Sequence, residues 1–204
     1  LWRSESLALS LSFGILVVLT FALATDPQGM KGEMISGVIW CGFAFSGIVN
    51  LTGSFRREKE SGGIDLMKLA GLPSEAIYLG KMISGFVATA ASNLIIGWFG
   101  GIMFGVDLNL SDILKLFAVA GLGTFGICTV GTLVAAISTE LKSGESLLVA
   151  LLMPLLFPIV ISSARSFSLV LSGEGMGDRW LWLTLAYTGI FLTVSILLFE
   201  EVIE

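Results

Sequence analysis

The sequence predicts an all-α, polytopic membrane protein: a single transmembrane domain over residues 1–204, with six membrane-spanning helices and both termini on the cytoplasmic side (N-in, C-in). Three observations carry this. The chain is 55% hydrophobic and only 13% charged, about half the charge that a soluble domain of ordinary composition carries, and its mean hydropathy is +0.94. Apolar runs recur six times, each long enough at 1.5 Å per residue to cross a hydrocarbon core of roughly 30 Å. The basic residues gather on one side of the resulting topology.

Taken in order, Leu7–Ala24 is an uncharged run rich in Leu, Val and Phe. It is too long for a signal-peptide core and lacks a small-residue cleavage site after it. The chain opens on Leu1, not Met, so a short preceding segment is expected. Asp26-Pro27 reads as an N-cap followed by a first-turn proline, so the next helix is expected to start there, with its apolar part over 34–52. Residues 54–71 form the longest polar stretch, interrupted by Gly62-Gly63, with a short amphipathic segment over 64–70. Ser74 is placed to cap the third helix and Glu75 to suit its positive end. That helix is apolar over 79–104. The remaining spans are 112–137, 146–163 and 180–199, joined by a tight turn at 105–111, a polar loop at 138–145 and a longer outer connection at 162–179. Pro154 and Pro158 lie inside the fifth span, where proline bends a membrane helix and frees a carbonyl that neighbours must satisfy.

With six spans, Arg3, Arg56, Arg57, Lys59, Lys68, Lys81 and Lys142 share one side; Lys31, Lys115, Arg165 and Arg179 share the other. Basic residues favour the cytoplasmic face, which puts the first set inside.

Composition also excludes chemistry. There is no histidine, which removes imidazole haem ligation, histidine base catalysis and the common zinc sites. Cys41 and Cys128 both fall in apolar runs and read as buried structural thiols. No metal cluster, nucleophile–base pair or nucleic-acid motif appears, so no catalytic residue is assigned. No charge lies deep in a span; Lys81, Lys115 and Arg165 sit near enough to an end to snorkel. Asn50 and Asn93 are the strongly polar amides of the spans and are expected to bond across helices. Gly97, Gly101 and Gly105 recur every fourth residue, a spacing that brings helices close in lipid. Gly37, Gly42, Ser46, Gly121, Gly123, Gly126 and Gly131 are read the same way. Intrachain packing is the plain reading, and a homodimer seam or moving interface the other. Trp180 and Trp182 read as interfacial anchors in preference to a haem platform.

A phosphate-binding Gly-x-x-x-x-Gly-Lys-Ser/Thr loop is absent, so any energy-driven work needs a separate ATPase. Residues 54–73 are then its contact, with Ile64, Met67 and Leu69 filling a groove and Arg56, Glu58 and Asp65 orienting it through charged hydrogen bonds. The same stretch reads equally well as a solvated, positive-inside topology loop.

A resemblance bears on that choice. Gly37-Val38-Ile39-Trp40, then Ser54-Phe55-Arg56-Arg57-Glu58, Gly62, Leu66, Pro73 and Lys81 resemble the CcmB family, membrane subunits of the cytochrome c maturation ABC transporter. Gly123-Thr124-Phe125-Gly126, Leu141-Lys142-Ser143-Gly144 and the stretch from Leu151 to Pro158 extend the likeness over about residues 35–165. The acidic position of the family's Phe-Arg-x-Asp motif is Glu58, longer by a methylene. The resemblance implies an ABC-2-type exporter permease in the cell inner membrane, or an organelle inner membrane of bacterial descent. It implies no catalytic site in this chain, and coupling to a CcmA-like cytoplasmic ATPase during haem delivery and chaperone release for c-type cytochromes. Its further partners would be CcmC-like, CcmD-like and CcmE-like proteins. Haem enters as the ligand the complex transports or handles, not as a cofactor bound by this chain. The ATPase contacts are then Phe55, Arg56, Glu58, Gly62, Asp65 and Met67, with Lys142 and Gly144 as a second contact and Pro154 and Pro158 as a bend used in the cycle. The alternatives are an ABC-2 permease for another lipid-linked or amphipathic compound, and a non-transporting scaffold of the haem-handling complex.

Overall fold

A computed structural model describes residues 2–26, 29–61, 63, 69–139 and 144–203, with side chains for 6–26, 29–54, 63, 69–137 and 150–199. Among the described residues there are six long helices: α1 (Trp2–Ala24), α2 (Gly32–Ser61), α3 (Ser74–Met103), α4 (Leu110–Thr139), α5 (Gly144–Leu171) and α6 (Asp178–Ile203). Each contains a stretch long and apolar enough to cross a membrane, so the expected all-helical, six-span architecture holds.

Apolar character runs all round most of these helices, as it must where one face meets protein and the other lipid. Burial sorts them. In α2, 67% of the apolar window is buried, against 22% in α1 and 17% in α6. Helix α2 packs on α1, α3, α4 and α5, while α4 packs on α2, α3, α5 and α6. These two form the centre of the bundle, with α1 and α6 on its flanks. Their shared core holds Ile39, Trp40, Phe43, Leu51, Ile96, Ile127, Leu152 and Ile159, each at most 2% exposed.

Helix ends differ from the sequence expectation at four places, each for a local reason. Helix α2 begins at Gly32, not at Asp26-Pro27; the backbone over 29–31 is not continuous helix. Its inner end runs on through the basic island to Ser61, so residues 55–61 are helix where a loop was expected. The N-cap of α3 is Pro73, whose extended backbone feeds its carbonyl to Ala76 N–H at 3.0 Å; Ser74 is already helical and no side chain caps. Helix α5 continues to Leu171, not 163. The outer connection therefore shrinks to residues 172–177. It starts at Gly173, whose φ of +76° only glycine adopts without cost, and Glu174 N–H closes the helix on the Leu169 carbonyl at 2.9 Å.

The extension of α5 changes the reading of its polar residues. Ser162 bonds to Thr184 of α6 at 2.7 Å. Arg165 reaches Glu33 at the outer start of α2, at 2.9 Å. Both partners are more than half exposed, so the pair is worth at most about 1 kcal/mol. Arg165→Ala is accordingly expected to leave the thermal unfolding midpoint of the purified protein within a few degrees of wild type. Lys115, also near an outer end, pairs with Asp112 at 2.9 Å.

Cys128 is buried as expected, but Cys41 is exposed on the outer surface of α2. Its neighbours Trp40 and Gly42 face α4 and α1, where Trp40 meets Gly123 and Gly42 meets Gly14, which leaves the side chain at 41 on the uncovered side of the helix.

Candidate functional site

Of the residues expected to contact an ATPase, those that the structure describes fall at one end of the bundle. Helix direction brings there the inner ends of α2 and α4 and the starts of α3 and α5. Phe55, Arg56 and Glu58 lie on the last two turns of α2, and Gly144 opens α5. Gly62, Asp65, Met67 and Lys142 lie outside the described residues, as do the side chains of Phe55, Arg56 and Glu58. On the far side of that stretch Leu69 and Leu72 are exposed, at 85% and 48%, and Gly71 (φ +72°) turns the chain toward Pro73 and α3.

Behind this end lies the seam that joins α2 to the rest of the molecule. The two stretches that carried the family resemblance meet there. Trp40 is fully buried, held edge-on by Phe43 and Phe167 with ring centroids 5.3 and 6.5 Å away. Its benzene edge lies against Gly123, so close that a Cβ at Gly123 would strike the ring. One turn on, Gly126 leaves room for Thr188 and Ile159, and Gly131 accommodates Leu51. Gly42 touches the Gly14 backbone. Close approach is thus real at Gly42, Gly123, Gly126 and Gly131. Gly37 and Gly121 have no neighbour within 4 Å.

The Gly97, Gly101, Gly105 series does not form one packing face. Gly97 seats Phe43. Gly101 meets nothing within 4 Å. Gly105 lies past the end of α3, where its φ of +60° turns the chain and Val106 N–H caps the Gly101 carbonyl at 3.0 Å. The residue that pairs with Gly97 is Gly100, against Ile39. Contacts at 97 and 100 centre the seam between them, which turns 101 away. Gly14, Gly47 and Gly100 were missed by sequence reasoning, since their importance depends on which helix faces them.

Polar bonds cross the same helices. Asn93 Nδ2 donates to Thr124 Oγ1 at 3.0 Å, linking α3 to α4, as expected for an intramembrane amide. Asn50 is buried, but its Nδ2 finds no protein acceptor. Tyr78, not singled out from sequence, donates to the Thr129 carbonyl at 3.0 Å from within the core and packs on Phe199. Pro154 and Pro158 lie within a helix that continues through both. Pro158 cannot donate to the Pro154 carbonyl; on the same turn, the Tyr187 hydroxyl donates to the Leu155 carbonyl at 2.9 Å, and Ser162 Oγ donates to the Pro158 carbonyl at 2.6 Å. Trp180 and Trp182 open α6 and are 36% and 69% exposed, placed at a helix end as interfacial anchors are.

Chemically, this arrangement offers a rigid buried helix with a charged end and a close-packed seam. Among the described residues, no three His, Cys, Asp or Glu side chains stand together as a metal site would require.

Comparison with known proteins adds to this geometry. The pattern of one family, described as "CcmB protein", matches residues 2–200. "Heme exporter protein B" of Pseudomonas aeruginosa is 26% identical over 194 residues, covering 95% of this chain and 86% of that protein. The protein of that name from Rhodobacter capsulatus is 30% identical over 160 residues, covering 77% of this chain and 72% of the relative. The Escherichia coli K12 protein of that name is 27% identical over 160 residues, with coverage of 78% and 72%.

Proposed function

The chain belongs to the CcmB family, and from that premise we propose that it is the membrane subunit of a haem-exporting ABC complex. It couples ATP hydrolysis by a separate cytoplasmic ATPase to haem delivery and haem-chaperone release during c-type cytochrome formation. It has no catalytic site of its own and sits in the cell inner membrane, N-in and C-in, as one transmembrane domain. Its partners are a CcmA-like ATPase and CcmC-like, CcmD-like and CcmE-like proteins. Relatives named as haem exporters over most of their length support this reading.

One observation carries the mechanism: α2 is a continuous helix from Gly32 to Ser61. At 1.5 Å per residue, its segment past Ser54 adds about 10 Å beyond the apolar span. That segment holds Phe55, Arg56 and Glu58, the proposed contacts, with Gly62, Asp65, Met67, Lys142 and Gly144 completing the surface. The opposite part of α2 is the most buried in the bundle. A displacement imposed at Arg56 is therefore carried as a rigid-body motion into contacts with four other helices. Packed interfaces respond to such a push by switching between arrangements, not by gradual deformation. Pro154 and Pro158 give α5 a place to bend as α2 moves.

The test is genetic. Removing the gene from its source cell is expected to abolish covalently attached haem in c-type cytochromes while b-type cytochromes persist, and the reintroduced gene restores it. Normal c-type cytochromes in the deletion strain would overturn the haem assignment and favour export of another amphipathic compound.

A further inference from the structure

We propose that the Arg165–Glu33 ion pair is a latch on the α2–α5 seam, and that the seam opens to water at that end of the bundle when the pair parts. The proposal does not depend on what the protein exports. Helices α2 and α5 run antiparallel, so the start of α2 meets the end of α5, at the end of the bundle opposite the basic island. The outermost contact between them is slight. Gly32 opens α2 and has no side chain to bury; a Cβ in its place would stand 3.3 Å from Leu171 Cβ and 3.6 Å from the Ser168 carbonyl. One residue on, Arg165 Nη1 donates to Glu33 Oε1 at 2.9 Å. Deeper in the seam, Trp40 packs edge-on against Phe167, and that buried aromatic contact bounds the part held by the pair.

Helix α5 carries Pro154 and Pro158 within it. Each removes a backbone hydrogen bond, so the stretch beyond Pro158 can pivot. Arg165 stands about two turns into that stretch. Ser162 ties the stretch to α6 through Thr184 at 2.7 Å, so it swings away from α2 together with α6. Ser163 lies at the seam itself: its Oγ stands 2.5 Å from where a Cβ at Gly123 would lie, and the Trp40 ring crowds the same point. That side chain is 1% exposed, and its hydroxyl has no hydrogen-bond partner in the protein. A buried hydroxyl left unpaired favours any form in which water reaches it. The closed seam is thus opposed from within, and a modest attraction at its rim decides the balance. Both members of the pair are more than half exposed, and such a pair shifts that balance by about fivefold at most. That is enough to set how often this end opens and too little to govern global unfolding.

Ser168→Cys supplies the reporter. Ser168 is 4% exposed, one turn from Arg165 and beside Gly32. The full chain in lipid nanodiscs is treated with a short, uncharged, water-soluble maleimide, and labelling is followed by mass spectrometry; the parent chain, which keeps Cys41 and Cys128, gives the background. Where opening is fast relative to labelling, the rate follows the open fraction. Labelling is expected to be slow with the pair intact, about fivefold faster with Arg165→Glu or Glu33→Arg, and slow again when the two reversals are combined. The two reversals shift ionisation of the thiol in opposite directions, so a rise in both reports access and not reactivity. Arg165→Ala, which adds no repulsion, gives the same acceleration where a reversed chain does not fold. Unchanged labelling in the single variants would overturn the latch. So would a rise in one reversal with a fall in the other, or a double reversal that labels as fast as the singles.

Discussion

Gly123→Ala is expected to destabilise the bundle by about 1–3 kcal/mol, the usual cost of forcing extra volume into a packed core. A methyl group there would collide with the Trp40 ring and stand 2.5 Å from Ser163 Oγ. The ring has nowhere to go: it is fully buried and clasped by Phe43 and Phe167. Gly121→Ala is the matched control. It lies on the same helix two residues away, gains the same helix propensity, and meets nothing within 4 Å. Thermal unfolding of both variants in one detergent should show a lower midpoint for Gly123→Ala and no loss for Gly121→Ala. Equal midpoints would mean that α2 and α4 do not meet at Trp40.

Arg56→Glu is expected to separate the chain from the proposed ATPase partner while leaving the bundle folded. A charged hydrogen bond at an interface contributes roughly 1.5–3 kcal/mol. Reversing the charge replaces that with repulsion, so affinity should fall at least about tenfold. The fold should tolerate the change. Within the helix, Glu at 56 adds one like-charge neighbour at Glu60, worth a few tenths of a kcal/mol. Six inner basic residues remain (Arg3, Arg57, Lys59, Lys68, Lys81 and Lys142), enough to keep the positive-inside orientation.

Span number and helix type were legible because apolar length reports them directly. Helix ends were less so, and the misses share a cause. Residues 55–61 carry Arg, Lys and Glu, which signal water but are also good helix formers; polarity was taken for a loop. In α5, Ser162, Ser163 and Ser166 looked interfacial, yet all three are buried against other helices. Hydropathy cannot tell water outside the membrane from a polar interior within the bundle. The glycines teach a related lesson. A fourfold spacing puts 97, 101 and 105 on one side of an ideal helix, but α3 ends at Met103 and its seam runs through 97 and 100. Which small residue matters is settled by the partner's register, as Ile39 and Phe43 show, and that is not written in one helix. The pairing of Trp40 with Gly123 was likewise invisible, although both stood in the stretches that marked the family resemblance.

The central claim is that this chain couples to a separate ATPase through the inner end of α2. The most direct measurement is co-purification: the chain is tagged, expressed with a CcmA-like ATPase and CcmC-like and CcmD-like proteins, and isolated from membranes beside an Arg56→Glu variant. The account predicts that the ATPase follows the wild-type chain and is lost from a variant whose unfolding midpoint is unchanged. An ATPase that follows both equally, or neither, would contradict it.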